Sequence, residues 1–254
     1  MDGVLYNDGT PIPGAAEAVS WFQSRPIPAL FVTNTSSRSR AALAQKLESF
    51  GIHAEISHIL TPSAAASTWL RAHADGPVAL FVRDAAREEF TGLSLVSNDA
   101  AEGCAAVVIG DLGEAWDYAT LNRAFRLLHH HPAAKLIALG MTRYWQTAAG
   151  LCLDVGPFVA ALEYATGRAP LVFGKPARAF FEAAAEQLHL APGQILMLGD
   201  DILTDVEGSQ AAGMAGVLVR TGKYRPADLE GEIKPQAVIG SIADLPGWWE
   251  SNAD

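Results

Sequence analysis

Three aspartates within six positions, Asp200, Asp201 and Asp205, follow a short apolar run, 195–198, that ends at Gly199. An apolar run, a glycine turn and a segment with helical spacing up to Gly213 predict a buried strand leading into a helix. In an open α/β sheet, ligands gather in the crevice beyond the carboxyl ends of the strands, so acids at that point face a site and not a core. Carboxylates this close repel one another unless a cation lies among them, and hard oxygen ligands with room for water suit magnesium. A single Asp here would be read as a helix cap; three are more than a cap requires.

Two further strand ends carry matching chemistry. The run 29–32 ends in Thr33-Asn34-Thr35-Ser36-Ser37, whose hydroxyls and backbone amides, ahead of a helix predicted at 39–50, can hold phosphate oxygens or cap that helix. The run 171–173 ends in Gly174-Lys175-Pro176. Pro176 fits a first helical position. Lys175, at a strand end before a helix, projects toward the same crevice as the acids and can balance phosphate and carboxylate charge together.

The elements that must position these residues alternate, strand then helix, which predicts an α/β fold built on a doubly wound parallel sheet. The break Ala74-Asp75-Gly76-Pro77 opens a second rhythm of strands at 78–82, 105–109 and 136–139 and helices at 84–90 and 116–129. The expected division is therefore a discontinuous main domain, 1–74 and 153–254, with an inserted α/β domain at 75–152. Gly110-Asp111 imitates a catalytic strand end but has Trp116 where a second acid is needed, so it reads as an ordinary turn. His129, His130 and His131 close a helix stopped by Pro132, a favourable place for histidine without any metal. The stretch 140–150, with Arg143, Tyr144 and Trp145, reads as a hairpin. Trp248 and Trp249 read as part of a packed terminal helix.

With 28 acidic and 18 basic residues, the net charge is -10. No basic block interrupts this balance, which argues against nucleic acid or an anionic membrane as partner. Two cysteines, Cys104 and Cys152, lack metal-ligand spacing and fit a reduced, cytoplasmic setting. No run approaches the length of a membrane span, and no leader of charged, apolar and small residues opens the chain.

The opening Asp2-Gly3-Val4-Leu5-Tyr6 looks like a strand-end loop. It resembles the D-x-D-G-V-L-Y motif that follows the first apolar strand in phosphatases of the haloacid dehalogenase superfamily, with Met1 at x. The strand ending in Thr33 is similar to that family's second motif, Gly174-Lys175-Pro176 to its third, and Gly199-Asp200-Asp201 to its fourth. The stretches LDVGPFVAALEYATG, FGKP, LGDDILTDV and VRTGKYRP look like the subgroup acting on phospholysine, phosphohistidine and inorganic pyrophosphate. Together they span nearly the whole chain.

The resemblance implies a Rossmann-like core with an α/β cap inserted between the second and third motifs. It also implies magnesium-dependent hydrolysis of a small phosphorylated metabolite, a phosphoamino acid or pyrophosphate, through an aspartyl-phosphate. Asp2 matches the general acid and base, and the nucleophilic Asp falls one residue ahead of Met1, together with its strand. Taking Asp2 as the nucleophile instead would put Val4 in the acid–base position, where it cannot exchange a proton. The nucleophile, the backbone carbonyl of Asp2 and the carboxylate of Asp200 would hold magnesium. Thr33, Asn34 and Lys175 would contact phosphate, while Asp201 and Asp205 would fix metal-bound waters or orient Lys175. Arg143, Tyr144 and Trp145 form a cap loop that helps to choose the substrate, or are packed between cap and core. Pairing of caps into a homodimer is left open. Three other readings stand beside this one: a catalytically inactive phosphate-binding relative, a dehalogenase of the same superfamily, and a signalling receiver domain, which would be about half this length.

Overall fold

The computed structural model describes residues 1–147 and 150–252. The chain opens with β1 (Tyr6–Asn7), β2 (Thr10–Pro11), α1 (Ala15–Gln23), β3 (Phe31–Val32), α2 (Arg40–Glu48), β4 (Ile59–Leu60) and α3 (Pro62–His73). Then come β5 (Val78–Phe81), α4 (Asp84–Arg87), β6 (Ala106–Ile109), α5 (Tyr118–His130), β7 (Lys135–Ala138), β8 (Tyr144–Thr147), β9 (Gly150–Leu153) and α6 (Val155–Thr166). It closes with β10 (Leu171–Val172), α7 (Arg178–Leu188), β11 (Leu196–Gly199), α8 (Gly208–Ala211), β12 (Ala215–Val219), β13 (Ala237–Ile239) and α9 (Leu245–Asn252). These elements form two compact units, one of residues 1–33, 40–60 and 175–254, the other of residues 34–39 and 61–174.

In the first unit, β11, β12 and β13 form a parallel sheet in that order, while β3 and β4 pair as a separate parallel ladder. Val4, Leu5, Ala18, Val19, Leu43, Leu47, Ile59, Val217 and Val219 fill a common core. Helix α1 presents Ala15, Ala18 and Val19 to it, positions at helical spacing. Between the two sheet pieces lies an apolar cavity of about 360 Å³, lined among others by Met1, Val4, Leu5, Phe31, Val32 and Leu196 to Leu198. The terminal helix α9 is packed as expected, with Trp249 edge-on to Trp21 at 6.5 Å.

The second unit is built on a parallel sheet ordered β10-β7-β6-β5, with the antiparallel hairpin β8–β9 beside it in sequence. Trp116 stacks between Phe81 and Phe158, with centroids at 6.0 and 4.6 Å. Asp111 is held by Arg83 Nε at 3.0 Å and caps the backbone of Gly113 at 2.7 Å, a structural role for the turn that imitates a catalytic one. This unit is wider than the 75–152 insertion read from the sequence. Helix α3 is tied into it by Ser67 Oγ, which donates to the carbonyl of Glu89 at 2.6 Å, and by Arg71, which donates to that of Thr91 at 2.7 Å. Strand β10, expected in the main domain, adds to β7 with Leu171 opposite Ile137. A two-residue apolar strand carries no information about its partner, so sequence order placed it with the elements that follow.

Candidate active site

Strand β11 delivers Asp200 and Asp201 at its carboxyl end, and the turn that follows bends Asp205 back beneath them. That turn, Ile202–Glu207, is π-helical and not the regular helix expected. Its wide bond runs from the N–H of Val206 to the carbonyl of Asp201, at 3.3 Å. The consequence is that Asp205 Oδ2 accepts from the backbone N–H groups of Asp200 and Asp201, at 3.1 and 3.3 Å. Any residue larger than glycine at 199 would place its Cβ 2.2 Å from that of Asp205, which explains the glycine before the acids.

The other oxygen of Asp205 accepts from Lys175 Nζ at 2.6 Å, and both side chains are almost fully buried. Asp201 is spent differently. Its Oδ1 caps the π-turn through the N–H groups of Leu203 and Thr204, both at 3.0 Å, and its Oδ2 accepts from Lys223 Nζ at 3.1 Å. Burial works against the Asp201 carboxylate, yet the N–H of Thr204 and the ammonium of Lys223 hold it below its usual range. The repulsion among three acids is thus offset in the structure by two lysines, one of which the sequence reading left without a role.

Asp200 is the exception. It is buried, its Oδ2 accepts only the backbone N–H of Lys223 at 2.9 Å, and its Oδ1 is uncommitted among the described residues. Burial pushes this carboxyl above its ordinary value, the N–H of Lys223 opposes that, and Asp205 adds to it. A desolvated carboxylate with a free oxygen is what a cation relieves. Among the described residues no three His, Cys, Asp or Glu side chains gather to hold a metal by themselves. The donors that fit are Asp200 and the loop at Asp2, few and all oxygen, as suits a hard cation that keeps most of its water.

The opening loop is threaded against Asp200. Gly3, at φ 74°, has room for no side chain, since a Cβ would fall 2.0 Å from Asp200 Oδ2. Asp2 is exposed and accepts from the N–H of Gly3 at 3.1 Å. The amino nitrogen of Met1 donates to the carbonyl of Val32 at 3.2 Å. Burial, then the nearby charge of Lys175, lowers its pKa from 8.0 to about 6, with Asp205 and Asp200 partly restoring it. Thr33 is buried one residue beyond Val32, its N–H on the carbonyl of Leu60 at 3.2 Å.

The first unit therefore brings together Asp2, Lys175, Asp200, Asp201 and Asp205. Asn34, Arg143, Tyr144 and Trp145 belong to the second unit. There Asn34, Tyr144 and Trp145 are exposed, and Arg143 opens the hairpin β8–β9, its carbonyl accepting from the N–H of Asp154 at 3.1 Å. The residues that sequence reasoning missed are Thr221, Gly222 and Lys223. Their signal was present, a glycine turn with a cation just past the apolar run of β12, but the stretch was read for its likeness alone.

An α/β unit with an acid pair at a strand end, a buried lysine locked to a third acid and a glycine-threaded opening loop defines a hydrolase of the phosphoryl-transfer type. The chain belongs to the haloacid dehalogenase-like hydrolases: residues 1–95 match the family model of that description, and residues 172–245 match a second, HAD-hydrolase-like model. It is 36% identical over 259 aligned positions, with 100% of this chain and 93% of the relative covered, to phospholysine phosphohistidine inorganic pyrophosphate phosphatase of Homo sapiens. It is 39% identical over 230 positions, 91% of this chain and 85% of the relative, to haloacid dehalogenase-like hydrolase domain-containing protein 2 of Mus musculus. Among solved structures it is similar to the p-nitrophenyl phosphatase of Archaeoglobus fulgidus, with a TM-score of 0.86 and 28% identity across 97% of this chain and 96% of that one. The enzyme class is that of a phosphoric ester hydrolase.

Proposed function

We propose that this chain is built to hydrolyse a small phosphorylated metabolite, of the phosphoamino acid or pyrophosphate kind, by magnesium-dependent chemistry through an aspartyl-phosphate. One observation carries the reading. The amino nitrogen of Met1 is buried within the field of Lys175, Asp205 and Asp200, so a residue joined to that nitrogen enters the cluster. The D-x-D register asks for the nucleophile at that position.

In this reading the carboxylate ahead of Met1 attacks phosphorus as the bond to the leaving group breaks. Asp2 protonates the departing oxygen, then takes a proton from the water that attacks the phosphorus of the acyl phosphate and frees inorganic phosphate. The exposure of Asp2 suits a group that must meet both leaving group and water. Lys175, fixed by Asp205, holds phosphoryl oxygens with Thr33. The carboxylate ahead of Met1, the Asp200 carboxylate and the Asp2 carbonyl would hold magnesium, which would supply positive charge against those oxygens. Asp201 and Asp205 fix metal-bound waters or orient Lys175. The net charge of -10 supports a protein with neither nucleic acid nor an anionic membrane as partner, and the two cysteines without metal-ligand spacing support a reduced, cytoplasmic setting. Among the described residues no helix is long and apolar enough to cross a membrane.

The test is magnesium-dependent phosphate release from an aryl phosphate, comparing the 254-residue chain with one extended ahead of Met1 by an apolar strand ending in Asp. Turnover confined to the extended form, and lost on Asp200→Asn, is expected. Phosphate and magnesium bound by both forms without turnover would make this a phosphate-binding protein instead.

A further inference from the structure

The segment Thr221-Gly222-Lys223 straps the opening loop to the acid pair. Thr221 Oγ1 donates to the carbonyl of Gly3 at 2.5 Å, and the backbone N–H of Lys223 donates to Asp200 Oδ2 at 2.9 Å. Gly222 makes the passage between them, at φ 62°, where a Cβ would fall 2.3 Å from Asp200 Oδ2 and 2.5 Å from the Cα of Gly3. The ammonium of Lys223 closes the strap on Asp201 Oδ2 at 3.1 Å.

The strap treats two neighbouring carboxylates unequally. Asp200 receives one backbone N–H and keeps an oxygen uncommitted, whereas both oxygens of Asp201 are consumed, one by the N–H groups of Leu203 and Thr204 and the other by Lys223. We propose that Lys223 is a positioning residue that decides which acid is offered to a divalent cation, presenting Asp200 and withholding Asp201. The proposal rests on the reading of this strand end as a cation site. It carries a consequence for selectivity. Magnesium is satisfied by one or two carboxylates and a shell of water, whereas calcium takes six to eight oxygens and gains from each added carboxylate. A withheld Asp201 therefore keeps the site suited to magnesium.

Lys223 is accessible, its side chain 70% exposed, so replacing it leaves the core untouched. Calorimetric titration of the 254-residue chain with magnesium and, separately, with calcium reads the effect without reference to turnover. Lys223→Met retains the backbone N–H on Asp200 and frees one oxygen of Asp201, so calcium affinity should rise about fivefold relative to magnesium, the upper scale of one exposed charge pair. Lys223→Arg should restore the parent ratio, and adding Asp201→Asn to Lys223→Met should cancel the gain. A ratio unmoved by Lys223→Met, or a gain that survives Asp201→Asn, overturns the proposal. If no form binds either cation, the cation site itself fails and takes the proposal with it. If the ratio shifts while the strand-extended chain shows no turnover, only the phosphatase reading fails.

Discussion

Lys175 and Asp205 sit 2.6 Å apart with side chains only 10% and 3% exposed, so each offsets part of the other's cost of leaving water. Breaking such a pair costs more than the pair contributes, because the remaining charge is buried without a partner. A lysine at a strand end looks replaceable from sequence, with loss of turnover and an intact fold. The structure argues otherwise: Lys175→Met should lower unfolding free energy by about 3 kcal/mol in urea melts. Adding Asp205→Asn should return a good part of that, since an amide oxygen can still accept from the N–H groups of Asp200 and Asp201 while the unpaired charge is gone. Equal stability of parent and Lys175→Met would show that the pair is solvated. Gly3 sets a second test at this scale. Gly3→Ala would force a left-handed residue and a Cβ 2.0 Å from Asp200 Oδ2, a cost of about 2 kcal/mol for the backbone alone, visible as a lowered melting temperature.

Elements differ in how openly the sequence declares them. The strand–glycine–acid turn at 196–201 was legible because apolar residues, a glycine and acids each have one good reason to stand in that order. Lys175 ahead of Pro176 was legible for the same reason. The π-turn was not, because its wide bond from Val206 to Asp201 exists to bring Asp205 back under two backbone N–H groups, and helical spacing looks alike in either geometry. Nor was the role of Lys223, whose partner lies 22 residues away and is reached only once β11 and β12 pair. Helix α6 offers a prediction at this scale. Its N-cap, Asp154, accepts from the N–H of Val155 at 2.8 Å. Burial raises its pKa above 3.8, Val155 opposes that, and Asp111 adds to it. The folded state then binds more protons than the unfolded one just above the ordinary carboxylate value, so this group's contribution to stability falls as pH climbs through that window. Asp154→Asn keeps the acceptor and should remove that slope, whereas Asp154→Ala removes the acceptor as well and should lie about 1 kcal/mol below Asp154→Asn at every pH. Thermal melts from pH 3.5 to 7 distinguish the two, and an unchanged slope in Asp154→Asn would assign it elsewhere.

At the scale of the molecule, the feature to explain is a parallel sheet in two pieces, β3–β4 and β11–β12–β13, with an apolar cavity of about 360 Å³ bordered by both. Cores are close-packed, and apolar side chains that border such an opening lack the contacts a packed neighbour would supply. Strands β3 and β11 each border it, and neither pairs with the other. Met1 lines the same cavity and puts a buried amino group on the carbonyl of Val32, where an uncharged peptide N–H would serve without the desolvation that lowers the pKa to about 6. An apolar segment of four or five residues joined ahead of Met1 would exchange the ammonium for an amide, fill the cavity and offer both edges a ladder. The extended chain should melt at a higher temperature, because buried aliphatic side chains and new ladder bonds act against the entropy of ordering the added residues. The extended chain should also protect the amides of Phe31, Val32 and residues 196–198 from hydrogen exchange. A polar segment of equal length is the control: it replaces the ammonium equally well but cannot fill the cavity, so equal gains from both segments would locate the effect in the lost charge and not in the completed sheet.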